Sequence, residues 1–195
     1  MIIGTTFGFA AGYFGGAVDS VIRTLADVAL TVPALAVLVV IASVISKTLS
    51  PEILALIIAS LAWMWPTRTI RSQVLTMRER AYVEVARLNG LSNFEIIFKE
   101  LVPNLLPYLA ASFVGAVSAA VLAAIGLELL GLGPQSEPTL GMTIFWARYH
   151  AALARGLWWW WGPPVLLIIL LFVALFLIAA GLDENGLARD GVSIT

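Results

Sequence analysis

The stretch that decides the fold is residues 162–182, GPPVLLIILLFVALFLIAAGL, which is 21 residues long and carries no charge. A bilayer core about 30 Å thick needs about 20 apolar residues per helix, so this stretch predicts a membrane-spanning helix. The rest of the chain has the same character, because its 195 residues are 61% hydrophobic and only 12% charged. Soluble domains are about 45–50% apolar and about 25% charged. A water-soluble globule is therefore excluded.

Four further uncharged runs lead us to expect an all-α, polytopic membrane protein with about five transmembrane helices. They cover residues 1–18, 28–46, 53–67 and 105–127. The first run is rich in glycine, which suits a helix that packs closely against its neighbours. The run at 53–67 has only 15 residues. It must borrow flanking residues to span the bilayer, because it reaches only about 22 Å at 1.5 Å per residue.

The charges concentrate in residues 66–104, which hold six of the 11 basic residues and four acidic ones. Ten charges would cost on the order of 30 kcal/mol in hydrocarbon, so this segment lies outside the bilayer. The positive-inside rule makes it a cytoplasmic loop, with the chain start outside and the C-terminus in the cytoplasm. Residues 128–161 then form an external loop. On this topology eight basic residues face the cytoplasm, against Lys47, Arg148 and Arg155 outside.

Within the cytoplasmic loop the sequence predicts two short helices joined by a tight turn. Residues 78–89 contain good helix formers, and Gly90 follows where a left-handed residue would end the helix. Ser92 and Glu95 have the spacing of a capping box, which begins the second helix. Apolar residues recur at helical spacing on one face of each helix. They are Tyr82, Val85 and Ala86, with Asn89, on the first, and Phe94, Ile97, Phe98 and Leu101 on the second.

Two helices of this size cannot bury both apolar stripes against each other. Two interpretations therefore stay open from periodicity alone. The loop is either an amphipathic linker that rests on the membrane surface, or a docking element for a soluble partner protein. In the second case Ala86 and Gly90, the small residues at the turn, would let the partner's surface approach closely, and a few buried side chains at about 1.5 to 3 kcal/mol each would anchor it.

One segment of the loop carries a family resemblance. Glu84-Val85-Ala86, Gly90 and Pro103 resemble the EAA loop of permease subunits from binding-protein-dependent ABC importers. The family pattern is E-A-A, three residues, G, nine residues and I-x-L-P. The chain departs from it at Val85, where the family has alanine, and at Glu100 and Val102.

The sequence also resembles the dipeptide, oligopeptide and nickel branch of these importers, in AGYFGG at 11–16 and LGLGP at 130–134. That branch normally begins with another membrane helix, so the resemblance implies the family core without its first helix. The branch's usual serine-rich residues are replaced at 126–130 by GLELL. This departure leaves oligosaccharides open beside peptides as the solute.

The resemblance implies a division of labour among subunits. This chain and a homologous second permease subunit would form the pathway in the cell's inner membrane, in contact with lipid. An external solute-binding protein would deliver the solute, and two ATP-binding subunits would carry the ATP and Mg, with no cofactor in this chain. The residues implied in the contact with an ATPase subunit are Tyr82, Glu84, Val85, Ala86, Arg87, Gly90, Leu91, Phe94 and Pro103.

Other chemistry is excluded by what the sequence lacks. It contains no G-x-x-x-x-G-K-[ST], so ATP hydrolysis must belong to another chain and this subunit is not an enzyme. It contains no cysteine and a single histidine, His150, and its net charge of -1 offers no basic surface for nucleic acid. No catalytic residues or metal ligands are predicted. The five runs carry no ionisable residue, which disfavours a proton-coupled carrier. A stand-alone channel or secondary transporter remains the alternative, with a membrane scaffold as a weaker third.

Three polar or aromatic features receive structural interpretations. Asp19, Arg23 and Asp27 follow each other at helical spacing and are expected to pair along one helix. The tryptophans at 158–161 are expected to form a belt at the membrane interface. Glu128 is expected to cap a turn in the external loop, with selection of the solute as the less favoured alternative.

Overall fold

The computed structural model describes residues 1–45 and 50–189, and of residues 183–189 it describes only the backbone. Within these ranges the protein is all-α, as the sequence predicts. Ser46, Lys47 and residues 190–195, which enter the predicted spans and topology, lie outside the described residues. The helices are α1 (Ile2–Phe14), α2 (Gly16–Thr31), α3 (Ala34–Ile45), α4 (Pro51–Leu61), α5 (Met64–Met77), α6 (Ala81–Leu88), α7 (Asn93–Glu95), α8 (Val102–Leu129), α9 (Leu140–Tyr149) and α10 (Trp158–Arg189), with a π-helical turn (Ile96–Leu101) between α7 and α8.

In the described residues, three helical stretches are long and apolar enough to cross a membrane: Pro51–Met77, Asn93–Leu129 and Trp158–Leu182. A fourth results if α2 and α3 are counted together, with a bend of 72° between them. The sequence predicts about five because it also counts residues 1–18 as a span. Within that run the structure has the apolar helix α1 of 13 residues, which is followed by Gly15 and Gly16 with φ angles of 66° and 54°.

Two of the predicted spans are longer in the structure than in the sequence. The 15-residue run at 53–67 lies inside a helical stretch of 27 residues, Pro51–Met77, so it does borrow flanking residues. Asn93–Leu129 has 37 residues, or about 55 Å, which exceeds the hydrocarbon thickness of about 30 Å. Its first turns carry Glu95, Lys99 and Glu100 and therefore project beyond the hydrocarbon.

The chain forms two compact units. Unit 1 contains residues 1–31, 62–116 and the chain from 179, and unit 2 contains residues 32–61 and 117–178. In unit 1, α1 packs directly along α5 through three glycines, Gly4, Gly8 and Gly12. A Cβ atom on Gly8 would lie 2.9 Å from the Cβ of Ile70. Because there is no room for any side chain, the predicted close packing of the glycine-rich run is confirmed.

The core of unit 1 extends from α1 and α5 into the polar loop. Its members are Phe9, Tyr13, Ile70, Val74, Val83, Ala86, Ile96, Ile97, Leu101 and Leu105. Asp19 of α2 pairs with Arg71 of α5 and accepts two hydrogen bonds from its guanidinium, with Nη2 2.6 Å from Oδ2. Arg23 pairs with Asp27 at 3.8 Å, as the helical spacing predicts. The expected pair of Asp19 with Arg23 is replaced by the bidentate pair with α5.

Unit 2 packs α3, α4 and the second half of α8 around Leu38, Ala42, Leu54, Ile58 and Leu127. Glu128 is 6% exposed. It lies against the first turn of α9, where a Cβ atom on Gly141 would meet its carboxylate. That helix is capped by Thr139, whose hydroxyl oxygen accepts a hydrogen bond from the Met142 amide at 3.2 Å. The expected cap in this region is therefore made by Thr139, with Glu128 buried beside it.

Candidate functional site

The polar loop between α5 and α8 contains every residue of the predicted ATPase contact except Pro103, which lies near the start of α8. Its first helix, α6, ends at Leu88, and Gly90, two residues later, has a φ of 79°. The Leu91 amide donates to the Ala86 carbonyl at 3.2 Å, and the Gly90 amide donates to the Arg87 carbonyl at 3.0 Å. These two bonds form a Schellman motif, for which a residue in the left-handed region is needed. The predicted glycine turn is therefore confirmed.

The second half of the loop begins with the predicted capping box. The Ser92 amide donates to Glu95 Oε2 at 3.0 Å, and the Glu95 amide donates to Ser92 Oγ at 3.4 Å. Lys99 Nζ lies 2.8 Å from Glu95 Oε1 and extends this network along the helix. After Glu95 the backbone continues as the π-helical turn, in which the Val102 amide bonds to the Ile97 carbonyl.

The face of α6 that packs inward differs from the predicted face. Val83 and Ala86 are buried and Tyr82 is half-buried against the core of unit 1, whereas Val85 is 55% exposed. Leu88, which does not belong to the predicted contact, is 82% exposed. The sequence could have pointed to Leu88, because it is an apolar residue directly after Arg87 in a charged segment.

The apolar stripe of the second helix is divided by the π-helical turn. Ile97 and Leu101 are buried, while Phe94 and Phe98 are 68% and 66% exposed. The loop therefore presents four exposed apolar side chains, which we call the apolar loop surface: Val85, Leu88, Phe94 and Phe98. The predicted stripe is wrong in joining the buried and the exposed pairs, because one extra residue per turn rotates them apart.

The predicted contact residues occupy two distinct environments. Those that face the core of unit 1 are Tyr82, Ala86 and Leu91, and those that are exposed are Glu84, Val85, Arg87, Gly90, Phe94 and Pro103. A Cβ atom on Gly90 would meet nothing within 4 Å, so the turn projects into open space. The arrangement offers apolar and charged groups to a protein surface, supported from beneath by a packed core.

Tyr82 combines burial with an unsatisfied hydroxyl. Its oxygen is buried and has no hydrogen-bond partner among the described residues. Burial raises the pKa of the Tyr82 hydroxyl, the positive charge of Arg80 lowers it, and the negative charge of Glu100 raises it further. A buried hydroxyl without a partner is costly, which makes this position a reporter of loop packing.

The end of α1 holds the loop in place. The Tyr13 hydroxyl donates to Asn93 Oδ1 at 3.0 Å. The guanidinium carbon of Arg87 lies 5.8 Å from the centre of the Tyr13 ring, within range of a cation–π interaction. Neither Tyr13 nor Asn93 belongs to the predicted contact, because nothing local in the sequence joins residues 80 positions apart.

Glu128 and His150 each lie among structural contacts. Glu128 is buried beside α9, and the His150 ring stacks on Trp146 and Trp160 at centroid distances of 6.0 and 5.8 Å. Trp158 and Trp159 are exposed, whereas Trp160 and Trp161 are half-buried, and the interfacial belt stays a prediction. Over the part of the chain whose side chains are described, no three metal-ligating residues come together.

Comparison with known proteins gives an independent view of the chain. Residues 4–185 match the model of the family described as "Binding-protein-dependent transport system inner membrane component". The chain is 30% identical over 145 residues to the oligopeptide transport system permease protein OppC of Lactococcus lactis subsp. cremoris, which covers 74% of this chain and 49% of that protein.

Two other relatives show the same relationship. OppC of Mycobacterium tuberculosis strain H37Rv is 33% identical over 143 residues, covering 73% of this chain and 49% of the relative. The dipeptide transport system permease protein DppC of Bacillus subtilis is 33% identical over 135 residues, covering 69% and 42%. The chain thus spans about half the length of the curated relatives it matches.

Proposed function

Because this chain belongs to the family of binding-protein-dependent transport system inner membrane components, in its dipeptide and oligopeptide branch, we propose that it is the permease subunit of an ABC importer whose polar loop receives the motion of an ATPase subunit. The chain is a multi-pass inner membrane protein. In the proposed assembly it pairs with a second permease subunit, two ATP-binding subunits and an external solute-binding protein. ATP and Mg bind to the ATPase subunits.

The observation that carries this proposal is the apolar loop surface. Lipid accounts for exposed apolar residues on the spans, but the loop at residues 78–101 holds eight charges and is expected outside the hydrocarbon. A cluster of exposed apolar side chains there is typical of a protein interface. Each large side chain buried by a partner would contribute about 1.5 to 3 kcal/mol.

The mixed outer face of α6 favours a protein partner over the membrane surface. Exposed Glu84 and Arg87 alternate along the chain with exposed Val85 and Leu88. A helix that lies on a membrane segregates its charged face from its apolar face. A protein interface places apolar anchors beside polar groups. The loop therefore fits a protein groove better than a lipid surface.

Peptides are the proposed solutes. The printed names of the relatives refer to transport of oligopeptides, dipeptides and, for a protein of Pectobacterium atrosepticum that is 27% identical, glutathione. Oligosaccharides, the other class left open by the sequence, have no support among these names. Glu128 is buried beside the first turn of α9 and is not proposed to select the solute.

A cross-linking experiment tests the docking role. The chain has no cysteine, so a Leu88→Cys variant carries a single thiol on the exposed side of the loop. We expect a short thiol-to-amine cross-linker, applied to native membranes, to join this thiol to a protein that mass spectrometry identifies as having a P-loop. Leu153→Cys, which is similarly exposed but lies in unit 2, should give no such product. If the purified transporter carries no ATPase subunit and its Leu88→Cys thiol reacts completely with a maleimide, a stand-alone channel or secondary transporter would be favoured.

A labelling experiment tests the proposed topology separately. Arg87→Cys should react with a membrane-impermeant maleimide only from the cytoplasmic side, and Leu153→Cys only from the external side. Because both positions are exposed, failure of a thiol to react from one side shows that the membrane keeps the reagent away, and not that the thiol is buried in the protein. Reaction of Arg87→Cys from outside would overturn the orientation.

A further inference from the structure

The loop is attached to α1 at three places, all near the last turn of that helix. Tyr13 bonds to Asn93 and lies beneath Arg87, as described above. Phe14 meets Phe94 edge to face, with ring centres 6.4 Å apart. The two halves of the loop, before and after the Gly90 turn, therefore both contact the same end of α1.

The chain that enters the loop is fixed to the same helix end. Arg78, just after α5, donates from Nη1 to the Gly12 carbonyl at 3.0 Å. Tyr13 itself is 6% exposed and shares one core with Val83 and Ala86 of α6. Its hydroxyl is the polar end of an otherwise apolar contact.

Helix α1 has no freedom to slide on α5. A Cβ atom on Gly12 would lie 2.7 Å from the Cβ of Val74, and one on Gly4 would lie 2.6 Å from the Trp63 carbonyl oxygen. Packed interfaces of this density shift between discrete arrangements and do not deform continuously. A displacement applied to the end of α1 is therefore passed to α1 and α5 together.

Building on the proposed function, we infer that Tyr13 is a positioning residue that ties the loop to α1 through Asn93. The loop and the α1–α5 pair then move as one rigid body when an ATPase subunit pulls on the loop. Arg78 bonds the start of the loop to the Gly12 carbonyl, and the hydrogen bond from Tyr13 is the directional contact between α1 and the segment after the Gly90 turn. Without it, the population in which the loop separates from α1 rises by about 2- to 10-fold.

A distance measurement in the assembled transporter tests the rigid body. Spin labels are placed at Ile3 of α1 and at Asn89, directly after α6, which are both exposed, in the chain that lacks other cysteines. Pulsed electron paramagnetic resonance then measures the distance without nucleotide and with MgATP and vanadate. We expect the same distance in both states. A shift of the whole distribution between the states would overturn the inference.

Variants test the role of the hydrogen bond itself. Tyr13→Phe keeps the ring but should add a second distance in the MgATP–vanadate state, whereas Asn93→Asp keeps an acceptor and should preserve a single distance. The double variant Tyr13→Phe/Asn93→Ala should show no more separation than Tyr13→Phe alone, since both remove one bond. Tyr149→Phe removes a hydroxyl from an exposed residue of unit 2 and serves as the matched control. An unchanged distribution in Tyr13→Phe would overturn the assignment.

The two levels of proposal fail in different ways. If the purified transporter carries no ATPase subunit, the proposed function is wrong. If the ATPase is attached and the Ile3–Asn89 distance changes on MgATP–vanadate trapping, only the rigid joint is wrong. A loss of thermal stability alone, without a second distance, would assign Tyr13 a purely structural role.

Discussion

Truncating Leu88 should weaken binding of the ATPase subunit and should have little effect on the stability of the folded chain. The side chain is 82% exposed, so the folded chain loses little packing when it becomes alanine. Leu88→Ala removes three carbon atoms at about 0.8 kcal/mol each. If the exposed share of that surface is covered in the complex, the loss is about 2 kcal/mol, or about a 30-fold weaker Kd.

The assay is a titration of the purified permease in detergent against the immobilised ATPase subunit, with dissociation followed in real time. Leu153→Ala is the matched control, because that leucine is 71% exposed in unit 2. We expect the control to bind as the unmodified chain does. A Kd for Leu88→Ala within about 2-fold of the control would refute the reasoning, since it would leave no room for a buried leucine at the interface.

Three further substitutions follow from positions described above. Gly90→Trp should place an indole ring in the space that a partner would occupy and uncouple ATP hydrolysis from uptake in proteoliposomes. The control Gly156→Trp, at a similar φ of 70° with equally open surroundings, should leave coupling intact. Equal effects of the two substitutions would assign the loss to backbone strain. Tyr82→Phe should raise the free energy of unfolding by up to about 1 kcal/mol, because it removes an unsatisfied buried hydroxyl. This gain should appear as a higher Tm in detergent. The pKa of Tyr82 is raised above the ordinary value of 10.0 in the folded protein, so the unfolded chain releases this proton more readily. The unmodified chain should therefore lose stability as the pH rises above 10.0, and Tyr82→Phe should lose less. Parallel profiles of stability against pH would contradict this. Gly8→Ala should lower the Tm, at a cost of about 1 to 3 kcal/mol from overpacking against α5, while Gly115→Ala, where a Cβ meets nothing within 4 Å, should not.

The sequence predicts the local features of the loop well, because each depends on residues close together in the chain. The Gly90 turn and the capping box of Ser92 with Glu95 involve hydrogen bonds across no more than five positions. Such bonds form wherever the backbone follows its local preference. Their agreement with the structure explains why the loop can be located before any fold is known.

The inward face of the loop could not be predicted in the same way. Periodicity joins Val85 to Tyr82, but the structure buries Val83 and exposes Val85. An eight-residue helix has apolar residues on more than one side, so its rotation is set by the surface it packs on. That surface includes Tyr13, which is distant in sequence and was not part of the predicted contact.

Two other differences have the same origin in long-range structure. The partner of Asp19 is Arg71, 52 positions away, where helical spacing suggested Arg23. Hydropathy sums residues without regard to the backbone, so it does not reveal that Gly15 and Gly16 interrupt the first apolar run. Composition decides the class of protein, whereas these contacts decide how its helices are divided.

The π-helical turn at Ile96–Leu101 accommodates a single surplus residue. Each residue of an α-helix turns the chain by about 100°. In a regular α-helix one surplus residue would therefore turn Phe94 and the preceding segment about the axis of α8 by that amount. A π-helical turn holds one residue more per turn, so its flanking segments keep the relative direction that they would have in a regular helix without that residue. Relatives that lack the surplus residue can therefore present the loop in the same direction.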